Sequence, residues 1–140
     1  TGCKAQTLKL ELTESVVMQN PEQAARVLSK LKDLGIQLAL DDFGTGHSSL
    51  SYLTRFPFDT IKIDQSLVRA TNEKQLVLLR SIIAMARDLD MNIVAEGVES
   101  EQDAEELADL GCDYAQSFLF GPPISSSAAL KLLREHFPHM

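Results

Sequence analysis

Five short apolar runs, each ended by a polar or charged residue, recur along this chain of 140 residues. Helix-like stretches separate most of these runs, and this alternation predicts an α/β fold with a parallel sheet. In such folds the carboxyl ends of the strands carry the chemistry, so residues far apart in sequence are expected to meet at one edge. The runs and their ends are 8–10 with Glu11, 38–40 with Asp41 and Asp42, 61–63 with Asp64, 93–95 with Glu96, and 113–115 with Gln116.

The acidic ends of these runs predict a metal site. Carboxylates held close together repel one another and favour the binding of a divalent cation. Asp41 and Asp42 are adjacent, and neighbours on a strand point to opposite faces. A turn at the strand's end can nevertheless aim both carboxylates inward, where the pair could serve two metals. The alternative for this pair is a helix cap or a turn before Gly44.

Hydrophobic periodicity and capping residues predict the order of the elements. Asn20 and Ser100 suit helix starts, Gly35 and Gly111 suit helix ends, and a glycine- and hydroxyl-rich loop spans 43–49. Strands are predicted at 7–14, 36–40, 60–63, 92–95 and 114–118. Helices are predicted at 21–34, 48–53, 72–90, 100–110 and from 125 or 126 to about 137. Leu34 and Leu76 are expected on the buried sides of their helices.

Composition narrows the classes of function. A net charge of −7 argues against non-specific binding to DNA, RNA or anionic membrane surfaces. Cys3 and Cys112 are too few for a disulfide framework or a zinc site, and two free thiols in a reducing compartment are expected. No apolar run is long enough to span a membrane and no signal peptide opens the chain. A cytoplasmic domain is expected, which can also come from a larger, membrane-anchored protein.

Lys62 is a candidate catalytic residue. It shares one face of its strand with Asp64, whereas Ile61 and Ile63 share the other face. A lysine that points into a group of carboxylates can hold a nucleophilic water or stabilise phosphoryl charge. The alternative is an ion pair that only neutralises buried acids.

Two pairs of glutamates have the same spacing. Glu11 and Glu14 stand three residues apart, as do Glu96 and Glu99. In each pair the first residue suits a metal ligand and the second suits a group that orients a loop. The alternative for the second residue is an acid that complements the start of a helix.

The motifs together resemble the EAL-domain family, which comprises cyclic di-GMP phosphodiesterases of bacterial signalling. The resemblance covers essentially the whole chain. It rests on order and spacing as well as on residue type. The matching segments are ELTES at 11–15, DDFGTG at 41–46, IKID at 61–64, AEGVE at 95–99, Gln116, and FGPP at 120–123.

The resemblance implies a TIM-like β/α barrel, of which these 140 residues form about the carboxyl-terminal half to two-thirds. It also implies hydrolysis of cyclic di-GMP to linear pGpG with two Mg²⁺ or Mn²⁺ ions. The residues that match family metal ligands are Glu11, Asp41, Asp42 and Glu96. Lys62, Glu96 and Gln116 match the catalytic residues at the attacking water.

Further residues match the surroundings of the family's active site. Glu14 and Glu99 match glutamates that steady the loop after the Asp41–Asp42 pair. Residues matched to that loop and to substrate are Phe43, Gly44, Thr45, Gly46 and Asp64. In the family this loop links substrate binding to a dimer interface, so a homodimer is expected. Sensory or GGDEF-type domains are expected companions in a longer parent protein.

Two departures from the family pattern concern metal ligands. The Glu-Ala-Leu signature and an asparagine ligand from the next strand have no match here, because this chain corresponds to the later part of the barrel. Ser117 replaces a usual glycine and His47 a common tyrosine. Residues 1–140 are therefore expected to be an incomplete EAL domain with little activity alone. The alternative is a non-catalytic module that binds cyclic di-GMP or a protein partner. Open sheet edges favour domain swapping or association with a second copy.

Overall fold

A computed structural model describes residues 2–44, 53–69 and 72–136 of the chain. A single 3₁₀ turn at Ala5–Thr7 precedes the first strand. The strands are β1 Lys9–Thr13, β2 Gln37–Phe43, β3 Thr60–Ile63, β4 Asn92–Glu96 and β5 Tyr114–Gln116. The helices are α1 Glu14–Gln19, α2 Pro21–Asp33, α3 Gln65–Val68, α4 Glu73–Asp88, α5 Glu101–Leu110 and α6 Ser126–His136.

The described strands form one parallel sheet in which spatial order follows chain order, β1-β2-β3-β4-β5. Parallel strands joined through helices make right-handed crossovers almost without exception. When every crossover runs to the next strand, all helices are expected on the same face of the sheet. The predicted α/β class with a parallel sheet is confirmed.

The hydrophobic core lies between the sheet and the helices. Alternation along the strands sends one set of side chains toward the helices and the other set to the opposite face. Helix α4 adds a stripe at helical spacing that begins at Leu79. The largest fully buried apolar side chains, each 0 or 1% exposed, are Leu28, Leu38, Ile61, Ile63, Ile83 and Ile93. Their burial fixes which strand positions remain on the other face for polar groups.

Capping residues behave as the sequence predicts. The Asn20 side chain accepts a hydrogen bond from the Gln23 backbone N–H at the start of α2. Ser100 and Asp103 form a reciprocal capping box at the start of α5. Gly111 ends α5 in the left-handed conformation, with φ of 103°, which a residue without Cβ adopts freely.

The structure also corrects parts of the prediction. Helices α1 and α3 were not predicted, and β5 ends at Gln116 rather than at residue 118. Leu34 is 62% exposed because α2 ends at Asp33 and Leu34 is already its cap. Leu76 is 39% exposed because it lies in the first turn of α4, before the buried stripe begins. The short helix predicted at 48–53 and the end of the final helix fall largely outside the described residues.

Two aspartates secure the amino-terminal ends of neighbouring strands. Asp59 precedes β3, and its carboxylate accepts a hydrogen bond of 2.8 Å from the Leu38 backbone N–H of β2. Lys32 pairs with the other oxygen of Asp59. Asp113 precedes β5 and accepts a 2.7 Å bond from the Ile93 backbone N–H of β4 in the same way. Both aspartates also bond these strands through their own backbone N–H groups.

Replacing Asp59 by alanine is expected to lower the free energy of unfolding by about 1–3 kcal/mol, because the buried N–H of Leu38 would lose its acceptor. Asp59→Asn is the matched control, since its amide oxygen can still accept that bond while the ion pair with Lys32 is lost. Its effect should be less than half as large. Equal losses for the two variants in urea denaturation would contradict the hydrogen-bond explanation.

Within the described ranges, no helix has both the length and the apolar character that crossing a membrane requires.

Candidate metal centre

A β-bulge brings two adjacent carboxylates to the same side of the sheet. Ala39 pairs with Thr60 and Leu40 with Ile61, but the next pair joins Phe43 to Ile63, so β2 contains one extra residue. Asp42 lies in the left-handed conformation with φ of 58°, as a residue at a bulge can. The backbone N–H of Asp42 donates a 3.0 Å hydrogen bond to Asp41 Oδ1. Neighbouring side chains on a regular strand point to opposite faces, so the bulge is what places the carboxylates of Asp41 and Asp42 on the same face.

Asp41, Asp42 and Glu96 form a carboxylate cluster. One oxygen from each residue lies within 4.8 Å of the others. Asp41 and Asp42 come from β2 and Glu96 from the end of β4, with β3 between these two strands. Hard carboxylate oxygens are the donors that Mg²⁺, Mn²⁺ and Ca²⁺ prefer. The donor set and its spacing therefore fit a divalent cation.

Lys62 lies against this cluster. Its ammonium nitrogen is 2.7 Å from Glu96, 2.9 Å from Glu11 and 3.1 Å from Asp41, and its side chain is 7% exposed. Burial alone lowers the pKa of Lys62, but hydrogen bonds to the three carboxylates outweigh burial and raise that pKa well above its ordinary value. Lys62 therefore stays charged at neutral pH and cannot act there as a general base.

Glu11 reaches the site from β1. It lies opposite Ala39 in the β1–β2 register and contacts Lys62, but its side chain is 46% exposed. The ion pair joins residues 51 positions apart in the chain. The ammonium group of Lys62 on β3 thus contacts Glu11 on β1, Asp41 on β2 and Glu96 on β4. All four residues were selected from the sequence.

An open cleft of about 1050 Å³ begins at the cluster. Gln116 lies opposite Glu96 in the β4–β5 register, so both residues stand at the cleft. Asp64 caps α3 by accepting a 2.8 Å hydrogen bond from the Ser66 backbone N–H. The volume is in the range of small-molecule sites. The cleft is lined by Asp42, Asp64, Gln65, Arg69, residues 96–99, residues 116–119 and residues 121–123.

Of the two residues predicted to steady the loop, Glu99 lines the cleft and Glu14 does not. Glu14 begins α1, and Glu99 pairs with Arg69 at 3.0 Å. Phe43 is buried in the core, at 2% exposure. Thr45, Gly46 and His47 lie outside the described residues. Arg69 was not among the predicted site residues, since no motif or spacing in the sequence distinguishes it.

The two cysteines lie away from this chemistry. Both are free thiols; Cys3 is exposed and Cys112 is half-buried. Burial and the neighbouring Asp113 raise the pKa of the Cys112 thiol to about 11. Cys112 is therefore protonated at neutral pH, which does not suit a metal ligand or a nucleophile.

Comparisons with known proteins agree on one family. The family model for the EAL domain matches residues 1–123. A cyclic di-GMP phosphodiesterase of Pseudomonas aeruginosa, NbdA, is 39% identical over 137 residues, which is 96% of this chain and 18% of that protein. The crystal structure of the EAL domain of Mycobacterium smegmatis DcpA is 43% identical with a TM-score of 0.86, covering 96% of this chain and 61% of that one.

A further similar structure contains both a metal and a nucleotide. Klebsiella pneumoniae BlrP1, solved as a complex with manganese and cyclic di-GMP, is 38% identical with a TM-score of 0.80. The match covers 87% of this chain and 32% of BlrP1. This chain spans about a fifth of the length of the first curated relatives it matches, for example 22% of a Mycobacterium tuberculosis protein.

Proposed function

This chain belongs to the EAL domain family, and from that premise we propose that it supplies the later strands of a cyclic di-GMP phosphodiesterase site. The observation that carries this proposal is the carboxylate cluster, which comes from the carboxyl ends of β2 and β4 and contacts Lys62 of β3. The reaction would be hydrolysis of one phosphodiester bond to give linear pGpG. NbdA, named for this activity, and the BlrP1 complex make cyclic di-GMP the first substrate to test.

We assign the metal ligands to the carboxylate cluster together with Glu11. Two Mg²⁺ or Mn²⁺ ions are proposed, which these carboxylates would hold. Bound there, such ions would neutralise phosphodiester charge and lower the pKa of a water. The bulge at Asp42 fixes the direction of both aspartates before any ion binds, which reduces the cost of assembling the site.

Lys62 would act as a fixed positive charge. Its three N–H donors contact Glu11, Asp41 and Glu96. An ion that takes over one of these carboxylates would free an N–H, with which the ammonium can orient an attacking water. It can also stabilise negative charge that develops on the phosphoryl oxygens. Gln116, beside Glu96, is proposed to help hold the water.

The remaining predicted residues would bind or enclose the substrate. Asp64 lines the cleft, and its cap on α3 fixes the wall on that side. Phe43 and Gly44 begin the proposed substrate loop, to which Thr45 and Gly46 are assigned by the family match alone. Glu14 and Glu99 are proposed to steady that loop. The cleft, of about 1050 Å³, offers room for a dinucleotide.

The isolated 140-residue chain is expected to hydrolyse little cyclic di-GMP. It matches 61% of the DcpA EAL domain, and the proposed incomplete barrel lacks two further family ligands. With Mn²⁺ and cyclic di-GMP, pGpG formation measured by chromatography should be at least about 100-fold slower than for the cyclic di-GMP phosphodiesterase NbdA. Robust conversion that Asp41→Ala abolishes would overturn this expectation.

A second candidate function for the isolated chain is binding without turnover. The open cleft supports this alternative, because it offers a binding volume whether or not the metal site is complete. Calorimetric titration with cyclic di-GMP in Ca²⁺ would separate the two, since binding needs no product. Heat of binding without pGpG in the Mn²⁺ assay would identify a binding module.

The two edge strands favour self-association. Within the described sheet, β1 and β5 each have one unpaired side. Apolar side chains are exposed next to both edges, including Leu10 at 39%, Tyr114 at 60% and Phe118 at 78%. We expect concentration-dependent dimers or swapped assemblies in light scattering. A monomer at all concentrations would contradict this. The predicted sensory or GGDEF-type companions and cytoplasmic location stay predictions.

A further inference from the structure

The turn at 97–99, which follows Glu96, is held from three directions. The Gly97 N–H donates a 2.9 Å hydrogen bond to the Gln116 carbonyl of β5. The Gly97 carbonyl accepts a 3.1 Å bond from Arg69 Nε, just after α3. Gly97 has φ of 68°, and a Cβ built there would lie 2.5 Å from Gln65 Cβ. The turn thus packs closely against α3 while bonding β5.

Arg69 joins the backbone of this turn to its side chains. Besides the bond to the Gly97 carbonyl, its terminal nitrogen pairs with Glu99 at 3.0 Å. A guanidinium can make both contacts at once because its donors lie in a rigid plane, whereas a lysine ammonium offers a single point charge. Arg69 therefore fixes two points of the turn relative to α3.

The contacts of Arg69 connect two strands of the proposed site. Helix α3 begins at its cap Asp64, two residues after Lys62 on β3. The turn that Arg69 holds comes directly after Glu96 on β4. Arg69 consequently ties the carboxyl end of β3 to that of β4. The 2.7 Å contact between Lys62 and Glu96 spans the same two strand ends.

We infer that Arg69 is a positioning residue of the metal centre, acting through the Gly97 carbonyl and Glu99 to fix Glu96. This inference rests on the proposed function. Arg69 does not contact the carboxylate cluster in any hydrogen bond or ion pair of the described residues. Groups that orient metal ligands are typically worth 10- to 100-fold, as an order of magnitude, in metal affinity.

Two possible roles of Arg69, as a positive charge and as a positioning residue, predict opposite effects on Mn²⁺ binding when it is replaced. If Arg69 acted only through its positive charge, Arg69→Met would strengthen binding of a cation to the acidic site. If Arg69 positions Glu96, the same variant should weaken binding by about tenfold. The free energy of unfolding of Arg69→Met should change little, since the side chains of Arg69 and Glu99 are 47 and 64% exposed.

The experiment measures Mn²⁺ affinity of the 140-residue chain by the electron paramagnetic resonance signal of the free ion. Arg69→Lys restores the charge and one of the two contacts, so its affinity should lie between those of Arg69→Met and the unchanged chain. Arg80→Met, on the exposed side of α4, is the charge-matched control and should bind as the unchanged chain does. Affinity of Arg69→Met equal to or tighter than the unchanged chain would overturn the inference.

Hydrogen–deuterium exchange without metal separates this inference from the proposed metal centre. In Arg69→Met the Gly97 amide, which donates to the Gln116 carbonyl, should exchange about tenfold faster, because the turn loses two contacts. Unchanged exchange would overturn the role of Arg69 even if the chain binds Mn²⁺. If the unchanged chain binds no Mn²⁺, the metal centre fails, and with it the role of Arg69 there. Faster exchange in Arg69→Met would then show only that it holds the turn.

Discussion

Replacing Lys62 by methionine is expected to reduce kcat for cyclic di-GMP hydrolysis by about 100- to 1,000-fold in a complete EAL domain that contains these residues. Methionine has a similar length and suits a site where the side chain is 7% exposed. The variant removes the positive charge that Glu11, Asp41 and Glu96 share. The loss should appear in kcat, because the ammonium is proposed to act on the attacking water and the developing charge.

Mn²⁺ affinity provides the control for the Lys62 prediction. The ammonium occupies carboxylate oxygens of Asp41 and Glu96 and repels a cation, so Lys62→Met should bind Mn²⁺ as tightly as the unchanged protein or more tightly. Loss of hydrolysis together with retained metal would assign the effect to chemistry. Full activity of Lys62→Met would instead remove Lys62 from the proposed mechanism and leave it as a neutralising ion pair.

Asp41→Asn is expected to weaken Mn²⁺ binding to the 140-residue chain by at least about 100-fold, since charge count sets the affinity of oxygen sites. The asparagine oxygen can still accept the hydrogen bond from the Asp42 N–H, so the bulge should remain. The change therefore tests the charge of the ligand with little change of shape. Ion binding should also raise the thermal midpoint of the unchanged chain and not that of the variant.

The matched control for Asp41 is Asp88→Asn on the exposed surface of α4. It removes the same charge at a distance from the cluster and should leave Mn²⁺ affinity unchanged. If both variants bind Mn²⁺ equally, the ion binds through general attraction to an acidic protein. In that case the carboxylate cluster would not be the metal centre.

Much of the fold could be predicted from local pattern. Strand β3 was predicted at its observed bounds because polar residues flank a short apolar run there. Helix α5 followed from its cap Ser100 and its terminal glycine. Helix α1 was missed because Val16 and Val17 are β-branched and no glycine or proline separates them from β1. Helix α3 has four residues, too few for a period to show.

The site could be predicted only where it depends on the ends of strands. The topology of a parallel sheet predicts that Glu11, Asp41, Lys62 and Glu96 meet, and these residues are in contact. Asp64 shows the limit of that rule, because it ends a strand but caps the next helix. Arg69 could not be found, since its bond to Gly97 joins positions 28 apart and depends on the packing of α3. The roles of these residues stay predictions.

The extra residue in β2 makes the metal centre sensitive to insertions and deletions. Deleting one residue between Leu40 and Phe43 would preserve strand pairing on both sides, but it would remove one of the two aspartates and leave a single carboxylate opposite Lys62. Homologues that retain one acidic residue here but lack the additional position are therefore expected to bind a divalent ion poorly. An alignment gap at this point would be more informative about activity than most substitutions, because spacing encodes the geometry as strictly as residue identity does.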